Sequence, residues 1–177
     1  MCTPKTLLSL AFAAFASTVA FAQGFGTPIS EKEIAAWDIS IMPDGSGLPP
    51  GSGTPEQGAQ IYAAKCALCH GPEARGGTNA ALVGGAPLTT GIDTPKTIAN
   101  FWPYATTLFD YINRAMPFAA PGTLPADDVY AVVAYLLAEN GVIERSAVMN
   151  RRTLPQVRMP ARDRFVPDDR TGGAVFK

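Results

Sequence analysis

Two thiols and one imidazole stand almost side by side in Cys66-Ala67-Leu68-Cys69-His70, and His70 is the only histidine of the chain. The spacing C-x-x-C-H is that of a c-type haem attachment site. The two thiols add to the haem vinyl groups as thioethers, and the imidazole that follows directly reaches the iron from the proximal side. Other chemistries use a C-x-x-C pair. Zinc wants four ligands, and a Cys/His site is one short once Cys2 leaves with an N-terminal leader. A thioredoxin-like pair needs a βαβ setting, whereas the flanks here read as helix. A structural disulfide leaves His70 without a role. The residues therefore point to one covalent haem c.

A haem that carries electrons commonly takes a thioether as its second axial ligand, which raises the potential. Met116, followed by Pro117, lies after the middle helices and before the last one, where a side chain can cross to the distal face. Met159 is the next candidate, with Met149 and Met42 behind it. With one histidine, a bis-His iron is excluded within this chain. Trp102 and Tyr104 carry an N–H and an O–H able to reach a haem propionate, and dense aromatics also serve as core. In the loop Gly71–Asp93 a backbone carbonyl should accept the His70 Nδ1 proton and fix the ring. The expected donor of that carbonyl lies between Leu82 and Leu88, with Pro87 favoured. Arg75 is either a solvated loop charge or a propionate partner. No base–nucleophile pair and no spare cysteine for molybdenum is present, so no catalytic residue is assigned.

Four segments position these groups. Residues 1–22 read as a secretory signal peptide, with an apolar run from Leu7 to Phe21 and the A-x-A site Ala20-Phe21-Ala22. A retained membrane anchor is the alternative, but the run is short for a span. Export places the chain in a bacterial periplasm, with no membrane span after the leader. The remaining roughly 155 residues suit one domain.

Residues 23–53 form a Gly/Pro-rich lead-in, irregular except for a short helix over Ile29–Trp37 capped by Ser30 with Glu33 three residues on. It is a strap on its own domain or a partner-docking face. Residues 54–143 carry the haem. A helix Thr54–Lys65 starts with a Thr cap and Pro at its first position. A second helix runs Asn100–Ala115, entered through Trp102-Pro103. A third runs Pro125–Asn140, with Val129, Val132, Val133, Leu136 and Leu137 on one stripe and Gly141 as its stop. Tyr130 and Tyr135 are placed to cover Gly58.

Residues 144–177 are a Pro/Arg-rich tail, expected to be extended. Charge is split: Gln23–Ile143 holds five basic and eleven acidic residues, and Glu144–Lys177 eight basic and four acidic. The tail either wraps the acidic body or docks a partner through arginine forks. An exported, overall acidic chain makes nucleic acid a poor partner.

Gly58-x-x-x-Tyr62-x-x-x-Cys66-x-x-Cys69-His70-Gly71 and Val132-Val133-Ala134-Tyr135-Leu136 resemble the opening and the closing helix of class I cytochromes c. The resemblance implies an all-α class I cytochrome c fold, with His70 proximal and Met116 distal. Here that fold has a long irregular N-terminal lead-in and an extended C-terminal tail. Pro125 departs from the Ser or Thr cap usual before the closing helix, which bears only on where that helix starts.

A narrower likeness rests on Trp37-Asp38-Ile39-Ser40-Ile41, Phe101–Ile112, Arg114-Ala115-Met116-Pro117 and Thr153-Leu154-Pro155. These are similar to cytochrome subunits of bacterial sulfite or sulfane dehydrogenases of the Sox type. That likeness implies a molybdenum-cofactor subunit as electron donor and a downstream cytochrome or oxidase as acceptor. The alternatives are a free soluble carrier between other periplasmic dehydrogenases and a terminal oxidase, or a haem enzyme with an open or cysteine-ligated iron.

Overall fold

The computed structural model describes residues 26–88, 93–166 and 169. The signal peptide assigned to residues 1–22 and the end of the tail lie outside the described residues. The chain divides into two units, Met1–Asp38 and Ile39–Lys177. Within the first, helix α1 (Glu31–Trp37) starts where the sequence signals it. The Ser30 hydroxyl accepts from the Glu33 N–H while the Glu33 carboxylate accepts from the Ser30 N–H, and α1 has no buried residue. Among the described residues no helix is long and apolar enough to cross a membrane.

The second unit is a set of helices around one apolar core. Its elements are β1 (Ser52–Gly53), α2 (Pro55–Lys65), α3 (Ala67–His70), α4 (Ile98–Phe101), α5 (Ala105–Ala115), α6 (Ala126–Glu139) and β2 (Met149–Asn150), with short 3₁₀ turns at Pro72–Ala74, Leu154–Gln156 and Arg162–Arg164. Thr54 caps α2 in a reciprocal box with Gln57, and Pro55 occupies the first turn. Its lost N–H is one the helix start leaves unpaired anyway. Helix α6 begins one residue after Pro125, which stands at the N-cap without a side-chain cap, and Asp127 and Asp128 fill its first turn. Asp127 instead caps across the chain: its carboxylate accepts from the Ser52 N–H at 2.6 Å.

Helices α2 and α6 cross at backbone contact. A Cβ at Gly58 would strike the Ala131 carbonyl and the Tyr135 Cβ, and one at Gly53 would strike the Ala131 backbone. Only glycine permits that approach. Tyr135 covers Gly58 as expected, and its ring meets Tyr62 at 5.1 Å between centroids. Tyr130 lies instead against Gly51, donates to the Pro49 carbonyl at 2.9 Å and packs on Phe109.

The expected single helix over Asn100–Ala115 is two helices. Trp102 is extended (φ −78°, ψ 125°) because the ring of Pro103 disfavours helical backbone in the residue before it. The chain bends there and restarts as α5, burying Ala105, Leu108, Phe109 and Ile112.

Residues on both sides of the expected haem domain pack onto it. Thr106 Oγ1 donates to the Pro43 carbonyl, Leu48 is buried, and β1 pairs antiparallel with β2 of the tail, Ser52 with Asn150 and Gly53 with Met149. In the tail Leu154 is 0 % and Met159 1 % exposed. Three tail arginines have partners on this same chain: Arg145 with Glu139 at 2.9 Å, Arg158 with Asp163 at 2.6 Å, and Arg162 over the Tyr104 ring at 3.9 Å. Through Ala161 the tail is thus packed on the body, with Pro155 inside one 3₁₀ turn and Pro160 between that turn and the next rather than in one extended run.

Two outcomes test this packing. Gly58→Ala is expected to cost about 1–3 kcal/mol, the usual penalty of overpacking, read as a fall in the chemical-denaturation midpoint. Burial pushes the Tyr130 hydroxyl up to about 12, so the folded chain holds this proton more tightly than the unfolded one. The linked stability is complete below pH 10 and is lost as pH rises from 10 to 12. Tyr130→Phe should therefore flatten the decline of stability across that window, measured by denaturation at a series of pH values.

Candidate haem site

Helix α2 ends at Cys66, whose N–H bonds to the Tyr62 carbonyl, and α3 carries Cys69 and His70. Both cysteines are free and half-buried. Burial, and after it the neighbouring Cys69, pushes the Cys66 thiol up to about 11, so it stands as the thiol at neutral pH. Tyr62 fixes the turn that follows, donating to the Gly71 carbonyl at 2.9 Å.

His70 Nδ1 lies 2.9 Å from the Ala80 carbonyl. The expected acceptor among residues 82–88, with Pro87 favoured, is therefore corrected to Ala80. The reason is a tight return of the chain. Gly71 has φ +76°, and any Cβ there would strike the Gly76 carbonyl. Gly76 N–H bonds back to the His70 carbonyl and Asn79 N–H to the Cys69 carbonyl, both at 2.9 Å. The chain thus reaches the ring again at residue 80. Pro87 lies in a different hollow, with Asn100, Pro160 and Arg164. As the carbonyl accepts a hydrogen bond from Nδ1–H, Nε2 is the nitrogen left to coordinate.

An apolar cavity of about 380 Å³ opens over this motif, lined by Tyr62, Cys66, Cys69, His70, Ile112, Met116, Val132 and Leu136, with Lys65 and the exposed Phe118 at its rim. A second lobe of about 210 Å³ shares His70, Ala80, Leu82, Tyr111, Ile112, Met116 and Leu136, and adds Ile98, Trp102 and Leu108. The shared walls make one site. Met116 reaches it because Pro117 turns residue 116 out of α5 into extended backbone (φ −125°, ψ 148°). The other candidate methionines are elsewhere: Met159 and Met149 are core residues and Met42 is exposed.

The expected propionate partners separate. Trp102 lines the second lobe, edge-on to Tyr111 at 5.6 Å. Tyr104 lines neither lobe, because the bend at Trp102-Pro103 turns it toward the tail, where Arg162 covers its ring. Arg75 pairs with Glu73 at 3.6 Å in solvent. Among the described residues no group of three His, Cys, Asp or Glu side chains is placed to hold a metal ion. Two thiols, one oriented imidazole, one thioether and apolar walls are the donors a haem c requires.

The family model of cytochrome c oxidase, cbb3-type, subunit III matches residues 53–136. The chain is also similar to one in the crystal structure of the sulfane dehydrogenase SoxCD from Paracoccus pantotrophus. There the identity is 42% and the TM-score 0.74, over 83% of this chain and 73% of that chain. This chain belongs to the cytochrome c family and has the class I fold. It is a haem-binding electron-transfer subunit resembling those of Sox-type systems, and it is not catalytic by itself.

Proposed function

We propose that this chain is a periplasmic monohaem cytochrome c. It accepts electrons from a molybdenum-cofactor sulfite or sulfane dehydrogenase subunit and passes them to a downstream cytochrome or oxidase. The observation that carries the reading is the apolar cavity in which Cys66, Cys69, His70 and Met116 all form the wall. A haem bound there supplies a one-electron carrier. Cys66 and Cys69 would hold it through thioethers, His70 would ligate through Nε2 with Nδ1 tied to Ala80, and Met116 would give the second axial bond. The Trp102 N–H is the propionate donor that the geometry favours over Tyr104. The flanking Val132, Leu136 and Ile112 would keep water away from a bound haem, and a thioether in a dry site would favour its reduced form.

The likeness to a chain of a sulfane dehydrogenase structure supports this partner. The periplasm follows from the leader ending in Ala20-Phe21-Ala22.

Met116→Ala should lower the reduction potential and admit carbon monoxide to the reduced protein. An unchanged potential and no carbon monoxide binding would remove Met116 from the ligand set. For the partner, the oxidised protein is mixed with the molybdenum dehydrogenase of its source and sulfite, and the reduced haem band is followed by stopped flow. The expected result is fast, saturating reduction that slows about tenfold from low to physiological salt, as steered association does. Slow reduction that never saturates would make this chain a general carrier instead.

A further inference from the structure

We propose that Asn140 is a positioning residue for the proximal ligand, acting through the loop at residues 80–84 on the carbonyl that holds His70. The inference rests on His70 being the iron ligand. That loop has no helix or strand, so each of its backbone groups needs an individual partner.

Asn140, the first residue past α6, supplies three bonds. Its Oδ1 accepts from the Gly84 N–H at 3.2 Å, and its Nδ2 donates to the carbonyls of Leu82 at 3.3 Å and Leu136 at 2.8 Å. The amide has one orientation: a flipped side chain would face two carbonyls with an oxygen and an N–H with an N–H.

The same segment is gripped from its other edges. The Ala74 carbonyl accepts from the Leu82 N–H at 2.8 Å and the Val83 N–H at 3.0 Å. Ala74 and Glu73 both hold left-handed backbone (φ +61° and +55°), an unfavourable conformation that these bonds help to retain. Thr97 Oγ1 donates to the Gly84 carbonyl at 2.5 Å. On the near side, Asn79 is tied to the Cys69 carbonyl. Ala80 thus sits between two anchored points, and its carbonyl has little latitude in front of Nδ1.

A firm Nδ1–H···O=C bond raises the basicity of the ligating ring and favours the oxidised iron. Releasing Gly84 and Leu82 loosens the segment and weakens that bond, so the potential should rise. Asn140→Leu and Thr97→Val change no formal charge, so neither adds an ionic contribution to the potential. Leu154→Ala, a buried residue of the tail away from this loop, is the control for lost stability alone.

The test uses the haem-loaded protein. Exchange of the His70 Nδ1 proton is followed by nitrogen-15 NMR in the reduced state, with the reduction potential and thermal midpoint measured beside it. Asn140→Leu should speed exchange about tenfold, the effect of roughly one lost neutral hydrogen bond, and raise the potential. Thr97→Val should move both in the same direction by less, and it carries the test if Asn140→Leu does not fold. Leu154→Ala should lower only the thermal midpoint. If exchange and potential stay at the wild-type values while the midpoint falls, Asn140 is a helix cap and nothing more. A wild-type protein whose His70 ring protons lack a haem-induced shift would overturn the ligand assignment itself, before any variant is made.

Discussion

The site depends on how closely helices α2 and α6 approach. Gly58 removes the side chain that would hold them apart, so the Ala131 backbone rests directly on α2. From that contact the next turns follow by helical spacing. Residues four and eight after Gly58 are Tyr62 and Cys66, and the matching turn of α6 brings Val132, Tyr135 and Leu136. Tyr62, Cys66, Val132 and Leu136 are walls of the cavity. A wider crossing would leave Tyr62 unable to sit under Tyr135 and donate to Gly71, and the turn that presents His70 would lose its support. Burial of the α6 stripe stabilises this arrangement by about 1.5–3 kcal/mol for each large aliphatic side chain, which offsets the cost of ordering a glycine within a helix.

Legibility in the sequence tracks whether a role belongs to a side chain or to the backbone. Cys66, Cys69 and His70 are proposed from side-chain types at a fixed local spacing, which is readable without a fold. The placement of Met116 at the cavity is readable at long range because Pro117 ends its helix there. Ala80 acts through its carbonyl, which every residue possesses, so no residue type marks it; only the return of the chain at Gly71 and Gly76 does. Those glycines are visible in the sequence, but the number of residues they take up is not. The same limit explains Trp102 and Tyr104. Side by side on paper, they diverge because Pro103 breaks the helix between them.

The tail shows a different kind of illegibility. Its arginines and prolines read as an extended basic segment that either wraps the body or docks a partner, since charge runs and proline breaks dominate the composition. What decides its placement is a few apolar residues, Leu154, Met159 and Ala161, spaced without helical or strand period. Irregular chain buries such residues without leaving a pattern, provided its carbonyls and N–H groups find turns. Here they do so through the 3₁₀ bonds and the β1–β2 pair.

That placement changes what the basic charge can mean. Exposed ion pairs such as Arg158–Asp163 contribute little to stability, so the arginines do not hold the tail down; the buried aliphatic and thioether side chains do. Arg145, Arg158 and Arg162 nevertheless spend their donors or their planar faces within the chain, and each would have to give up a partner to grip another protein. A surface that must first break its own contacts gains less on docking than a free fork would. The case for a dedicated electron donor therefore stands on the haem site and on the likeness to a sulfane dehydrogenase chain. The net charge of the tail adds long-range attraction.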